Sequence, residues 1–250
     1  MTATTHLIDI VFPGDTNHHG TLFGGTALSH MDKLAFVAAT RFGRRPFVTA
    51  SCDRIDFTAP ASRGHLIDLQ ANIVKAGRRS ATVQVDMYAE HLLTGDRQLC
   101  TRGHFTMVSP DKDQPPLPPA PTDETQPVDE DILCNRVEMV FPDQTNHYGT
   151  LFGGNALAMM GKTAFITASR HSRRVFVMAS SQRTDFIAPA QGGEIIDLKG
   201  RVKYTGRSSL VVEVSMTAED VIAGDRRLCA RSEFVMVAVD AAGKPEPLSL

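Results

Sequence analysis

The feature that most constrains this chain is an internal repeat. Shifting the sequence by 129 residues lays Val11-Phe12-Pro13 on Val140-Phe141-Pro142 and Thr16-Asn17-His18 on Thr145-Asn146-His147. The same shift lays Gly20-Thr21-Leu22-Phe23-Gly24-Gly25 on Gly149-Thr150-Leu151-Phe152-Gly153-Gly154, and Gly95-Asp96-Arg97 on Gly224-Asp225-Arg226. No gap interrupts the match, and 53 of the 98 positions from Val11 to Val108 agree with their partners. A solenoid needs more and shorter units. Two units of this length are two whole domains, as expected for a 250-residue chain.

The expected boundaries are residues 1–109 for the first domain, 110–128 for a linker and 129–250 for the second domain. Seven of the fourteen prolines fall between Pro110 and Pro127. Proline lacks a ladder N–H, so this stretch reads as an extended connector reaching roughly 55 Å at ~3.1 Å per residue.

Within a repeat, Gly25–Arg41 reads as a helix bounded by glycines. Its apolar residues, among them Leu28, Met31, Leu34 and Val37, cover nearly the whole circumference, which marks a buried helix. Four strands follow: Phe47–Phe57, His65–Lys75, Ser80–Glu90 and Arg97–Val108. Short turns join the last three as an antiparallel meander. The expected class is therefore α+β, with one helix wrapped by a four-stranded antiparallel sheet in each repeat.

Composition excludes several functions. A net charge of −2 with mixed signs gives no electrostatic case for nucleic acid or an anionic membrane. The first residues lack the basic start and apolar core of a secretory signal. No apolar run is long enough to span a bilayer. Cys52, Cys100, Cys134 and Cys229 show no metal-site or disulfide-scaffold spacing. A cytoplasmic protein without a metal is expected.

Asp32 is the sharpest chemical signal. A carboxylate on a helix apolar almost all round must be paired, neutralised or functional, because burying it charged and alone is costly. The bland alternative is a pair with Lys33 or a solvent-facing position. Its counterpart in the second repeat is Gly161, and a glycine inside a helix costs ~1 kcal/mol relative to alanine. The repeats thus differ where chemistry is most expected. Asn17 and Asn146 suit either turn formation or orientation of a water or carbonyl. Gly24 and Gly153 open the helices, where free N–H groups attract an oxyanion; a tight turn explains them too. Arg78 with Ser80, and Arg207 with Ser209, are solvated turns or phosphate contacts. His18, His19 and His147 lack an evident orienting carboxylate and read as loop residues.

The string Asn-x-x-Gly-x-x-x-Gly-Gly-x-x-Leu-x-x-Met-Asp, from Asn17 to Asp32, resembles the start of hotdog-fold acyl-CoA thioesterases of the cytosolic acyl-CoA hydrolase type. Asp56-Phe57-x-x-Pro60 and the Gly-Arg-x-Ser turns extend the resemblance over nearly all of both repeats. It implies two tandem hotdog domains paired as a double hotdog, and hydrolysis of fatty acyl-CoA to fatty acid and CoA without a cofactor. It also implies a homo-oligomer, commonly three hotdog pairs. In such enzymes the helix carboxylate comes from one hotdog and the asparagine from the facing one. Carried across, one groove holds Asp32, Gly24 and Asn146. The other holds Asn17, Gly153 and Gly161, lacks a carboxylate and is expected to be inactive. Arg78, Ser80, Arg207 and Ser209 become candidates for the CoA phosphates. Two alternatives stay open: a hotdog enoyl-CoA hydratase or dehydratase using His18 or His147, and a non-catalytic acyl-CoA-binding protein.

Overall fold

The computed structural model describes residues 4–121 and 131–248, which form two compact units, one built on each repeat. In the first, β1 (Thr5–Ile10) leads through a 3-10 turn (Pro13–Asp15) to α1 (Gly24–Gly43). Then come β2 (Val48–Cys52), β3 (Leu66–Ala76), β4 (Ser80–Glu90) and β5 (Arg97–Val108). The sheet is antiparallel with order β1-β3-β4-β5-β2. It has five strands rather than the expected four. The additional one, β1, is too short and too mixed in polarity to stand out, and its six residues are held by pairing Thr5–Ile10 against Leu66–Ala71.

Helix α1 lies against this sheet, with Met31, Leu34, Ala35 and Ala39 fully buried. Each large apolar side chain removed from water contributes roughly 1.5–3 kcal/mol. The expectation of a helix buried all round holds for its C-terminal half, whereas Gly25, Leu28 and Ser29 are exposed. The helix runs through the glycine expected to stop it, and the cap falls one residue later. Arg44 takes the left-handed cap at φ 49°, its N–H donating to the Thr40 carbonyl. Gly43 has a different role: a Cβ there would meet the Phe47 ring at 2.7 Å and Leu117 at 2.9 Å.

That contact shows where the connector packs. Leu117 is buried, its N–H donates to the Arg78 carbonyl, and Arg45 Nη1 donates to the Pro115 carbonyl at 2.8 Å. The proline-rich stretch is therefore packed onto the first repeat as far as Leu117, because one leucine among the prolines has a slot to fill. Residues 122–128 of the expected linker lie outside the described residues.

The second unit repeats the plan. It comprises β6 (Cys134–Met139), a 3-10 turn (Pro142–Gln144), α2 (Gly153–Ser172), β7 (Phe176–Ser181), β8 (Asp185–Phe186), β9 (Ile195–Thr205), β10 (Ser209–Glu219) and β11 (Arg226–Ala238). The sheet order is β6-β9-β10-β11-β7, with β8 also on β11. Two threonines enter the core where the first repeat has Leu34 and Ala38. Thr163 and Thr167 satisfy their hydroxyls by donating to Met159 and Thr163 carbonyls at 2.9 and 2.8 Å. Gly200 stands where the first repeat has Ala71, because Thr167 Oγ1 lies only 2.0 Å from where a Cβ would be.

Candidate active site

Asn17 and Asn146 perform the turn role in full. Asn17 Oδ1 accepts from the His19 and Thr21 N–H groups at 2.8 and 3.3 Å, and Nδ2 donates to Thr21 Oγ1. Asn146 makes the matching bonds to Tyr148 and Thr150. Gly20 and Gly149 complete these loops in the left-handed region, at φ 74° and 76°. Each loop delivers the chain to the start of its helix.

There the two adjacent glycines part in function. At Gly25 a Cβ would strike the Phe23 ring at 2.6 Å, so that glycine is required by packing. At Gly24 a Cβ would meet only Phe57, at 3.8 Å. Gly24 instead lines a cavity of about 400 Å³ with Asn17, Ala27, Phe57 and Met87. The N-cap, Phe23, offers no side-chain hydrogen bond, and the first-turn N–H groups of a helix have no partner within it. A ligand carbonyl entering this cavity meets the donor end of the helix. Gly153 has the same position in the second unit, lining a cavity of about 290 Å³ with Ala156, Phe186, Ile187 and Met216.

Asp32 stands elsewhere. It follows Gly24 by eight residues, about 12 Å along a helix axis, and is absent from the cavity wall. It is partly buried, and its Oδ1 accepts a 2.6 Å hydrogen bond from Thr49 Oγ1. The partner that holds it is thus a threonine hydroxyl and not Lys33, the bland alternative. Thr49 reaches α1 because β2 carries a bulge between Thr49 and Ser51 in its pairing with β5. Sequence reasoning missed Thr49. The signal was present: the position corresponding to Thr49 is Met178, so both members of the polar pair become apolar or absent together. The Met178 ε-methyl lies 2.9 Å from where a Cβ of Gly161 would be. The space of the acid–threonine pair is filled by thioether.

The other candidates fall outside this centre. Arg78 and Arg207 are exposed on hairpin turns. Ser80 Oγ sits 2.8 Å from where a Cβ of Gly77 would be, and Ser209 Oγ 3.0 Å from that of Gly206, so the Gly-x-x-Ser pattern has a packing reason. The tilted rings of His18 and His19 have centroids 3.8 Å apart, as do those of His147 and Tyr148; all are exposed, and among the described residues none has a carboxylate partner. Burial pushes the Cys100 and Cys229 thiols up, away from the reactive thiolate. Among the described residues, no cluster of three or more His, Cys, Asp or Glu could hold a metal ion. No helix there is long and apolar enough to cross a membrane.

Comparison with known proteins agrees with this architecture. The family model of the thioesterase superfamily matches twice, over residues 19–95 and 148–223. The crystal structure of an acyl-CoA hydrolase from Agrobacterium tumefaciens is 49% identical, covers 98% of this chain and 97% of its own, and superposes with a TM-score of 0.88. The cytosolic acyl coenzyme A thioester hydrolase of Rattus norvegicus is 25% identical over 286 residues, matching 96% of this chain and 75% of its own length. An uncharacterized acyl-CoA thioester hydrolase of Bacillus subtilis, YkhA, is 41% identical over 108 residues, 43% of this chain and 63% of that protein. With two successive matches covering more than half its length, on two helix-and-sheet units of the same plan, the chain belongs to the thioesterase superfamily as a tandem hotdog protein.

Proposed function

We propose that the chain hydrolyses fatty acyl-CoA to free fatty acid and CoA, in one groove to which both repeats contribute. The observation carrying this reading is the asymmetry of the acid: Asp32 held by Thr49 in the first repeat, Gly161 with Met178 in the second. The relatives named as acyl-CoA hydrolases supply the substrate class.

In this reading Asp32 faces Asn146. The oxyanion donor is then Gly153 rather than Gly24. Asn17 and Gly24 line one cavity while Asp32 stands about 12 Å further along the helix, which supports, by the repeat, pairing Gly153 with Asn146. The thioester oxygen accepts from the Gly153 N–H. Asp32 takes a proton from water as the oxygen attacks the carbonyl carbon. Collapse of the tetrahedral intermediate breaks the C–S bond, and the thiolate of CoA leaves with that proton. Direct attack by the carboxylate, giving an anhydride that water then opens, is the second route. A single turnover in H₂¹⁸O separates them: water attack labels the fatty acid, whereas an anhydride opened at the enzyme carbonyl labels Asp32.

Arg78, Arg207, Ser80 and Ser209 remain proposed contacts for the CoA phosphates. Assembly into a homo-oligomer of three double hotdogs, cytoplasmic residence and freedom from any cofactor beyond the substrate's own CoA belong to the same proposal. The test is a panel of acyl-CoA thioesters assayed for thiol release. Release that is lost in a folded Asp32→Asn variant supports the reading. Hydration of a 2-enoyl-CoA without thiol release would replace it with the hydratase alternative, for which the exposed, uncoupled histidines offer no support.

A further inference from the structure

The chain has two cavities but one acid. All ten residues lining the second-repeat cavity correspond to residues lining the first, and nine of the ten are identical. The exception is Thr58, replaced by Ile187. Over the other 88 positions from Val11 to Val108 the repeats agree at 44, half of them. The walls have therefore kept the same residues while the chemistry beside them has diverged. Leu22, Ala27, Phe57, Ala59 and Met87 present an apolar lining at the first cavity, of a size that suits small-molecule sites. Asn17 and Thr21 form its polar side, and the Thr58 hydroxyl is engaged, donating to the Cys100 carbonyl at 3.1 Å. It is also the roomier cavity, about 400 against 290 Å³.

We infer that the first-repeat cavity is a second binding site for acyl-CoA, which seats the acyl chain of the thioester and does not cleave it. The inference rests on the reading above, in which Asp32 serves the second-repeat cavity. The first cavity is served by the Gly161 position, which has no carboxylate. Met178 occupies the space one would need, so a ligand seated there meets an apolar wall where hydrolysis requires a base. The occupant is the same class of molecule because nine-tenths of the wall is the same.

The probe is an S-alkyl-CoA thioether, which has no carbonyl to attack, titrated by calorimetry against the full chain. The expected stoichiometry is two per chain. Gly24→Leu fills the first cavity from a position with ordinary van der Waals clearance, and Thr58→Glu places a charge at its exposed rim. Either should lower the stoichiometry to one. Gly153→Leu or Ile187→Glu should also leave one site, together with loss of thiol release from acyl-CoA. One equivalent in the unmodified chain, or two in both folded first-cavity variants, overturns the inference. Thiol release with a single site would spare the proposed activity and remove the holding site. Two sites without thiol release would do the reverse.

Discussion

A threonine seventeen residues beyond Asp32 places its hydroxyl 2.6 Å from the carboxylate. That single bond turns an isolated acid into a positioned one. Asp32→Asn should lower kcat by at least ~100-fold with acyl-CoA binding retained, the usual scale for removing a base or nucleophile. Thr49→Ala should lower kcat by about tenfold, and Thr49→Ser should restore most of it, because only the hydroxyl is required. The second repeat permits the converse experiment. Gly161→Asp alone should fail, since the Met178 methyl blocks the side chain. Gly161→Asp with Met178→Thr, built on Asp32→Asn, should raise turnover at least ~10-fold above that background. Unchanged turnover in a folded triple variant would contradict the role given to the pair. Asp32 and Gly161 were legible in the sequence as a discrepancy between repeats. Thr49 was not, because the bulge that aims it at the helix depends on strand pairing.

At the scale of elements, the helix and the meander follow from apolar periodicity and turn residues. The edge strands and caps follow from contacts between distant segments. No local pattern marks β1, and Gly43 reads as a helix stop until Phe47 and Leu117 are seen against it. The core threonines show the same dependence. Gly200→Ala should be strongly destabilising, because Thr167 occupies the methyl's position, and Thr167→Ala should relieve most of the loss. Denaturant midpoints of the two single variants and the double variant measure this coupling; simple additivity would refute it. Acid stability has a local source as well. His65 immediately precedes β3 with Nδ1 buried and unbonded, its ring 5.3 Å from His91. Burial first, and the neighbouring histidine second, lower its pKa from 6.5. The unfolded chain therefore binds this proton more readily than the folded one. The stabilisation is complete above about pH 6.5 and is lost as pH falls from there through the lowered folded value. His65→Gln should flatten that part of the curve of Tm against pH, and an unaltered slope would rule His65 out as its source.

For the whole molecule, the repeat settled the architecture before any element was assigned. What it left open was which groups from the two repeats act together. The cavities help here: each is lined by its own helix-start glycine, while Asp32 lies outside both walls. The packed connector also refines the dissection of the chain. A first-repeat fragment should extend through residue 121 to keep Leu117 in its slot. As a homodimer that fragment carries Asn17, Gly24 and Asp32 twice and should be active in proportion to dimer formation. Activity in a monomeric fraction would oppose a site built from two repeats.

The most direct measurement compares Asn17→Ala with Asn146→Ala. Both asparagines make the same turn bonds, so the structural cost of the two substitutions is matched. Only Asn146 is assigned to face a carboxylate. Asn146→Ala should therefore reduce kcat/KM by roughly tenfold to a thousandfold, while Asn17→Ala changes it little at equal folded fraction. Equal losses would return both residues to the turn alone. A greater loss at Asn17 would mean that Asp32 acts with its own repeat's loop and not with the other's.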